Sequence, residues 1–186
     1  MTTMQLIPFR ELVEALRSQS KDRQNLAFEG LMKATENPVG WAYEVWDDLL
    51  FTLRDGDNRQ RSIAAQVLSN LAKSDPKQRM AKDVSVLLRV TKDQHFVTAR
   101  HCLQSLWKLG IAGEPQCRAL LKGLVLRFEE CAGEKNCTLI RYDILVALRR
   151  VYDLGKDEKI RIAAERLMET EQDAKYRKKY ATVWRT

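Results

Sequence analysis

The sequence has few residues that interrupt regular secondary structure, with only 8 glycines and 4 prolines in 186 residues. It also lacks any long segment of alternating polar and apolar residues, the pattern of a half-buried strand. Sparse glycine and proline favour long helices over many short strands. We therefore expect an all-α protein, and the chain is long enough to form one domain with a buried core.

Long apolar runs are absent as well. No stretch approaches the ~20 consecutive apolar residues of a membrane-spanning helix, and no apolar stretch follows a basic start, as in a secretory signal. The cysteines have no CxxC spacing and lie within apolar-periodic runs: Cys102, Cys117, Cys131 and Cys137. Free thiols in a reducing compartment are the simplest interpretation, and a Cys131–Cys137 disulfide or a zinc site is the alternative. We expect a cytoplasmic protein without a membrane partner.

Histidine is scarce, which restricts acid–base and metal chemistry. His95 and His101 are the only two histidines, and on a helix their side chains point roughly 240° apart, so they cannot share a metal ion. The sequence contains no Walker loop, GxGxxG, GxSxG or HExxH motif. We predict no catalytic residue, no metal ligand and no cofactor.

Positive charge is concentrated at one end of the chain. The formal net charge is +7, and the segment 175–186 carries five lysines and arginines without a single acid. The remaining residues are close to neutral in sum. This distribution predicts that the body of the protein does not present a surface that tracks nucleic-acid phosphates.

Apolar residues recur at helical spacing along most of the chain. We predict helices near 8–18 and 21–35, 41–54 and 58–74, 77–91 and 94–109, 115–131 and 137–153, with a ninth near 157–172 and the basic tail as a short tenth. Ser20 or Asp22 is placed to cap the second helix, and Asp57 with Gln60 forms a capping box for the fourth. Gly110 is placed to terminate the third pair.

The second helices of successive pairs share a pattern. Ala64, Leu68 and Leu71 match Ala99, Leu103 and Leu106, and the first pair keeps Ala27 and Leu31, whereas the fourth has Arg141 at the alanine position. Equivalent positions therefore recur after 37, 35 and 42 residues, close to the period of helix-pair repeats. A small residue lets two helices approach closely, and the leucines fill the contact with the next pair.

An acidic N-cap, then a basic residue, then this alanine and leucine pattern (Asp57, Arg61, Ala64, Leu68, Leu71) resembles the HEAT repeat. The resemblance covers roughly residues 20–170. It implies a right-handed α-solenoid of antiparallel helix pairs over 1–174, with 175–186 as a basic, aromatic tail or capping helix. It also implies a scaffold or adaptor function, by analogy. A globular helical bundle is the alternative.

A solenoid of this kind binds partners on the concave side, which its second helices line. We predict a protein-binding or peptide-binding strip there: Gln66, Asn70, Arg100, His101, Gln104 and Lys108. Basic residues also recur at one equivalent position, Lys73, Lys108 and Arg150. They are suited to an acidic partner, although cations at helix C-termini are also stabilised by the macrodipole. An ordinary solvated surface is the alternative for the strip.

Nucleic acid is the alternative partner. In the tail, Lys175, Arg177, Lys178 and Lys179 are interleaved with aromatic residues that share one helical face, Tyr176, Tyr180 and Trp184. Basic residues bind phosphates and rings stack on bases, but the same rings are equally suited to covering the end of the last repeat.

Two further resemblances widen the range of functions. Trp41 and Trp46 beside Asp47 and Asp48 resemble the alkylpurine DNA glycosylases, which are built from similar repeats, and that resemblance implies a DNA-repair-type function. The simpler interpretation of Asp47 and Asp48 is the solvated edge of a helix. Some pigment lyases also contain HEAT-like repeats, so a lyase is a third possibility.

Overall fold

A computed structural model of the chain describes residues 8–185. The structure is 79% helical and contains no strand between these two residues, so the predicted all-α class is confirmed. Within this range lie ten helices of eight residues or more and one four-residue turn, α7. They are α1 (Phe9–Leu16), α2 (Lys21–Ala34), α3 (Ala42–Asp55), α4 (Asn58–Leu71), α5 (Met80–Val90), α6 (Phe96–Ser105), α7 (Trp107–Gly110), α8 (Glu114–Glu130), α9 (Cys137–Gly155), α10 (Glu158–Glu169) and α11 (Ala174–Trp184).

Side-chain caps fix where several helices begin. Ser20, not Asp22, caps α2 by accepting a hydrogen bond from the Arg23 backbone N–H. The predicted capping box of α4 is confirmed. Asp57 accepts from the Gln60 backbone N–H at 2.8 Å, and the Gln60 side chain accepts from the Asp57 backbone N–H at 3.0 Å. These bonds satisfy donors that the first turn of a helix leaves without intrahelical partners.

The second helix of the third pair ends at Gly110, as predicted, but without the left-handed conformation of a glycine cap. No glycine in residues 8–185 has a φ in the left-handed region, so Gly110 forms no left-handed cap. It is the last residue of α7, and a β-carbon built on it would lie 2.5 Å from Val151 Cγ2 of α9. A side chain is therefore excluded here by the close approach of two helices.

Helices contact one another in an order that follows the chain. We call α1, α3, α5, α8 and α10 the first helices, and α2, α4, α6 with α7, α9 and α11 the second helices. Each first helix contacts the next first helix, and each second helix contacts the next second helix. Buried apolar side chains form one cluster that extends from Leu12 in α1 to Tyr180 in α11. The repeated leucines Leu68, Leu71, Leu103 and Leu106 all have no exposed surface.

A buried carboxylate stabilises the connection between the second and third helix pairs. Asp75, which follows the end of α4, is only 6% exposed. Its carboxylate accepts from the Tyr43 hydroxyl at 2.6 Å and from the backbone N–H groups of Arg79 and Met80 at 2.9 and 2.6 Å. One side chain thereby joins α3 to the start of α5.

None of the helices in the described range is both long enough and apolar enough to cross a lipid bilayer.

Replacing Asp75 by alanine should destabilise the protein by about 2–4 kcal/mol, because buried donors lose their acceptor. Chemical denaturation followed by circular dichroism measures this change in the free energy of unfolding. Asp55→Ala is the matched control, since Asp55 is an exposed aspartate and should cost less than about 0.5 kcal/mol. Equal losses for the two variants would contradict the assigned function of Asp75.

Candidate functional site

The second helices bring the six residues of the predicted binding strip onto neighbouring turns, but not all of them are accessible. His101 and Gln104 are exposed, and Gln66, Arg100 and Lys108 are half-buried. Asn70 is only 5% exposed. The structure thus divides the strip into residues that hold helices together and residues that can contact a partner.

Asn70 belongs to the first group, and its predicted exposure is wrong. Its side-chain amide donates to the Thr35 hydroxyl at 3.0 Å, and its carbonyl oxygen accepts from the Lys108 ammonium group. Asn70 therefore connects α4 with α2 on one side and α7 on the other. Periodicity marks apolar positions as buried, so it gives no signal for a buried amide whose partners lie 35 and 38 residues away in the chain.

Arg100 is also engaged within the protein. Its guanidinium binds both oxygens of Asp143 on α9, at 2.6 and 3.0 Å, and the Asp143 side chain is only 4% exposed. The hydrogen bond that Arg100 donates to Asp143 raises the pKa of Arg100. Because Arg100 neutralises a buried carboxylate, it holds α6 to α9 and has little capacity left for a partner.

The accessible members of the strip line two adjoining recesses. The first, which we call the Trp107 recess, has a volume of about 240 Å³ and is lined by Gln66, His101, Gln104, Ser105, Trp107, Lys108 and Arg150. The second, the Arg59 recess, has about 260 Å³ and is lined by Asn25, Phe28, Asn58, Arg59, Ser62, Ile63, Gln66, Val97, Thr98 and His101. Gln66 and His101 border both, so the two recesses form one groove across α2, α4, α6 and α9.

The three basic residues that recur at one equivalent position lie close together at the end of this groove. We call Lys73, Lys108 and Arg150 the cationic cluster. Lys73 donates to the carbonyl oxygens of Thr35 and Glu36, at 3.1 and 2.8 Å. These carbonyls follow the last turn of α2, so the predicted helix-terminus explanation applies to Lys73. Lys108 also lies in the last turn of its helix, α7, and it donates to Asn70. Arg150 lies before the last turn of α9, 5.6 Å from the centroid of the Trp107 ring, so the explanation does not apply to it.

No acid neutralises the cationic cluster. Among residues 8–185, none of its three side chains lies within 4.0 Å of a carboxylate oxygen. Burial lowers the pKa of Lys108, and the positive charges of Lys73 and Arg150 lower it further. Like charges gathered in a partly desolvated place favour binding of an anion.

Trp107 is the residue that sequence reasoning missed. It is half-buried between the cations, with the Lys108 ammonium 5.9 Å and the Arg150 guanidinium 5.6 Å from the ring centroid. Such distances allow cation–π attraction. The sequence feature that indicates this site is an aromatic residue, Trp107, directly before the recurring basic residue Lys108.

The aromatic residues of the tail are partly or fully buried, whereas its basic residues are exposed. Tyr180 is fully buried, and its hydroxyl donates to the Thr138 carbonyl at 3.0 Å. Tyr176 and Trp184 are half-buried, and the Trp184 ring lies 5.7 Å from Tyr152. The rings therefore cover α9, as one of the two interpretations predicted. Their basic neighbours Lys175, Arg177, Lys178 and Lys179 are all exposed.

The glycosylase-like residues do not form a site. Trp46 has no exposed surface, and its indole N–H donates to Asp83 at 2.9 Å. Trp41 stacks on Phe9 with the ring centroids 4.4 Å apart. Asp47 and Asp48 form ion pairs with Arg79 and Arg17. A nucleotide base cannot stack on Trp46, because that ring belongs to the core.

A larger and mostly apolar cavity lies elsewhere. It has a volume of about 400 Å³ and is bordered by the ends of α7 and α9 and the starts of α8 and α10, with Cys117, Leu121, Val151 and Ile160 in its wall. Burial raises the pKa of the Cys117 thiol, so the thiol is not activated as a nucleophile. Within residues 8–185, no three His, Cys, Asp or Glu side chains lie together as metal ligands.

No protein-family model matches this sequence, and no curated protein matches it.

The Arg100–Asp143 pair can be tested by a double-mutant cycle. Arg100→Ala should destabilise the protein by about 2–4 kcal/mol, because it leaves Asp143 buried without a counter-ion. Adding Asp143→Ala should cost little more or restore stability. The exposed pair Arg118–Glu114 is the control, where the same cycle should give a coupling energy below about 0.5 kcal/mol. Strict additivity at Arg100 and Asp143 would refute the assignment.

Charge repulsion within the cationic cluster predicts a second result. Arg150→Gln removes one positive neighbour, so the pKa of Lys108 should rise toward the ordinary lysine value. Side-chain NMR of lysine, recorded as a function of pH, measures this shift. Lys122→Gln removes an exposed cation on α8 and should leave the pKa of Lys108 where it was. An unchanged Lys108 pKa in Arg150→Gln would show that the two side chains do not interact.

Proposed function

We propose that this protein is a non-catalytic interaction module that binds an acidic segment of another protein along the groove of its second helices. The observation that carries this proposal is the cationic cluster at the end of the groove, where Lys73, Lys108 and Arg150 have no carboxylate partner among residues 8–185. An unneutralised cluster costs stability, and an anionic partner offsets that cost.

The architecture behind the groove is a right-handed α-solenoid of HEAT-like helix pairs in this proposal. Contacts between successive second helices support it, because they join residues about one repeat apart. Ser69 meets Ser105 over 36 positions, Ser62 meets His101 over 39, and Tyr180 meets the Thr138 carbonyl over 42. Such stacking produces a continuous surface that a partner segment can follow.

An extended segment fits the groove better than a folded domain does. The Arg59 recess is largely uncharged apart from Arg59, whose guanidinium donates to Asn25, and Val97 on its rim is 64% exposed. The Trp107 recess at the other end carries the positive charge. A segment with an apolar residue followed by acidic residues matches this order of surfaces.

Titration of the full chain with a fluorescent oligoglutamate peptide tests the proposal. Binding should weaken steeply with salt, and Lys108→Gln combined with Arg150→Gln should weaken it by about tenfold or more. Lys122→Gln is the matched control and should bind as the unaltered protein does. Absence of binding at low salt, or an equal weakening in the control, would contradict the proposed function.

Nucleic acid is the second candidate, and one observation favours it: the four basic residues Lys175, Arg177, Lys178 and Lys179 on α11 are all exposed. Deleting 175–186 is not a clean test, because it also removes the buried Tyr180. Changing all four basic residues to glutamine keeps the aromatic contacts. If α11 binds a single-stranded oligonucleotide, the slope of log affinity against log salt should fall by about 0.7 for each phosphate that no longer meets a cation.

A further inference from the structure

The Trp107 recess has a more specific chemistry than general attraction of acids. Lys108 and Arg150 line the recess, and Lys73 lies close enough to lower the pKa of Lys108. One carboxylate cannot balance three positive charges. A group with two negative charges balances most of them while occupying the same small volume.

The other walls of the recess supply neutral hydrogen-bonding groups. Gln66, Gln104 and Ser105 line it together with His101. The Ser105 hydroxyl already donates to the Cys102 carbonyl. The Gln66 amide uses one N–H toward the Ser62 carbonyl and the Gln104 amide uses one toward Asp143, so each keeps a second N–H. His101 Nδ1 lies 2.8 Å from the Ser62 hydroxyl oxygen, which leaves Nε2 as the ring nitrogen without that contact. A phosphate has three terminal oxygens and needs several donors in a small volume, whereas a carboxylate has two.

Trp107 restricts the position of the Arg150 side chain. Its ring lies beneath the Arg150 guanidinium at 5.6 Å and near the Lys108 ammonium at 5.9 Å. Arg150 is exposed, so without the ring its long side chain would sample many rotamers. Cation–π contact restricts this freedom, and less entropy is then lost when the planar guanidinium binds two oxygens of one phosphate.

We infer that the Trp107 recess binds a phosphate monoester dianion, held by Arg150 and Lys108 with Gln104 and His101 as further donors. The phosphate is supplied by a phosphorylated side chain of the bound segment or by a small organic phosphate. The first source rests on the proposed function, because the segment must follow the groove that joins the two recesses. The second source does not rest on it.

The test compares three fluorescent peptides on the full chain at constant ionic strength. They share an oligoglutamate sequence and differ at one central position, which is serine, glutamate or phosphoserine. Phosphoserine should bind about tenfold more tightly than glutamate. Arg150→Gln should reduce this preference to near unity, and Lys122→Gln, on α8, should leave it intact. Phosphoethanolamine is added as a competitor to distinguish the two sources.

Each outcome decides the inference. Tight binding of phosphoserine peptide with weak competition by phosphoethanolamine supports the protein-borne source. Strong competition at similar concentrations supports the small organic phosphate. Equal affinity for glutamate and phosphoserine overturns the phosphate site but leaves the proposed function standing. Failure of oligoglutamate to bind, with phosphoethanolamine still bound through Arg150, overturns the proposed function and leaves the phosphate site standing.

A second variant, Trp107→Phe, tests the site without removing the charge of Arg150. Phenylalanine keeps an apolar ring in place but is a weaker cation–π partner than tryptophan. It should therefore reduce the phosphoserine preference to a value between those of Arg150→Gln and the unaltered protein. A preference that does not respond to Trp107→Phe would contradict the positioning argument.

Discussion

Contact between successive second helices is the interaction on which the rest of the molecule depends. A single helix pair exposes apolar residues on the side that faces the next pair, so it is stable only when another pair covers them. Ala64 and Ala99 allow the close approach, and Leu68 and Leu103 fill the contact. The same register brings residues about 35–43 positions apart into contact, so it determines which polar side chains meet.

Polar contacts between successive second helices are of two kinds. Arg100 contacts Asp143, and Asn70 contacts Thr35, so these polar groups are satisfied and hold one second helix to the next. Lys108 and Arg150 lie against Trp107 and repel each other, and within the described chain no carboxylate forms an ion pair with either of them. The first kind adds specificity to the stacking. The second kind leaves positive potential on an accessible groove, which is the physical basis of the proposed binding function.

Prediction from sequence succeeded where the signal is local. Helical periodicity, the Asp57–Gln60 capping box and the burial of the repeated leucines depend on residues close in the chain, and all are confirmed. It failed for Asn70, whose partners Thr35 and Lys108 are 35 and 38 residues away. It placed a helix end at Gly110 correctly but missed the reason for the glycine, whose absent side chain makes room for Val151. Charge summed over the body gave no sign of the cationic cluster, because a near-zero total does not exclude local accumulation of one sign. The recurrence of Lys73, Lys108 and Arg150 at one equivalent position did indicate it.

The central claim is that the register of the second helices places Lys108 and Arg150 on one recess and leaves them without a counter-ion. Crystals of the full chain grown with sodium selenate, an anomalous scatterer and a tetrahedral dianion, test it most directly. We predict an anomalous peak within hydrogen-bonding reach of the Lys108 ammonium and the Arg150 guanidinium, beside the Trp107 ring. A structure in which these two side chains lie apart, or in which the recess stays empty while selenate binds elsewhere, would contradict the account.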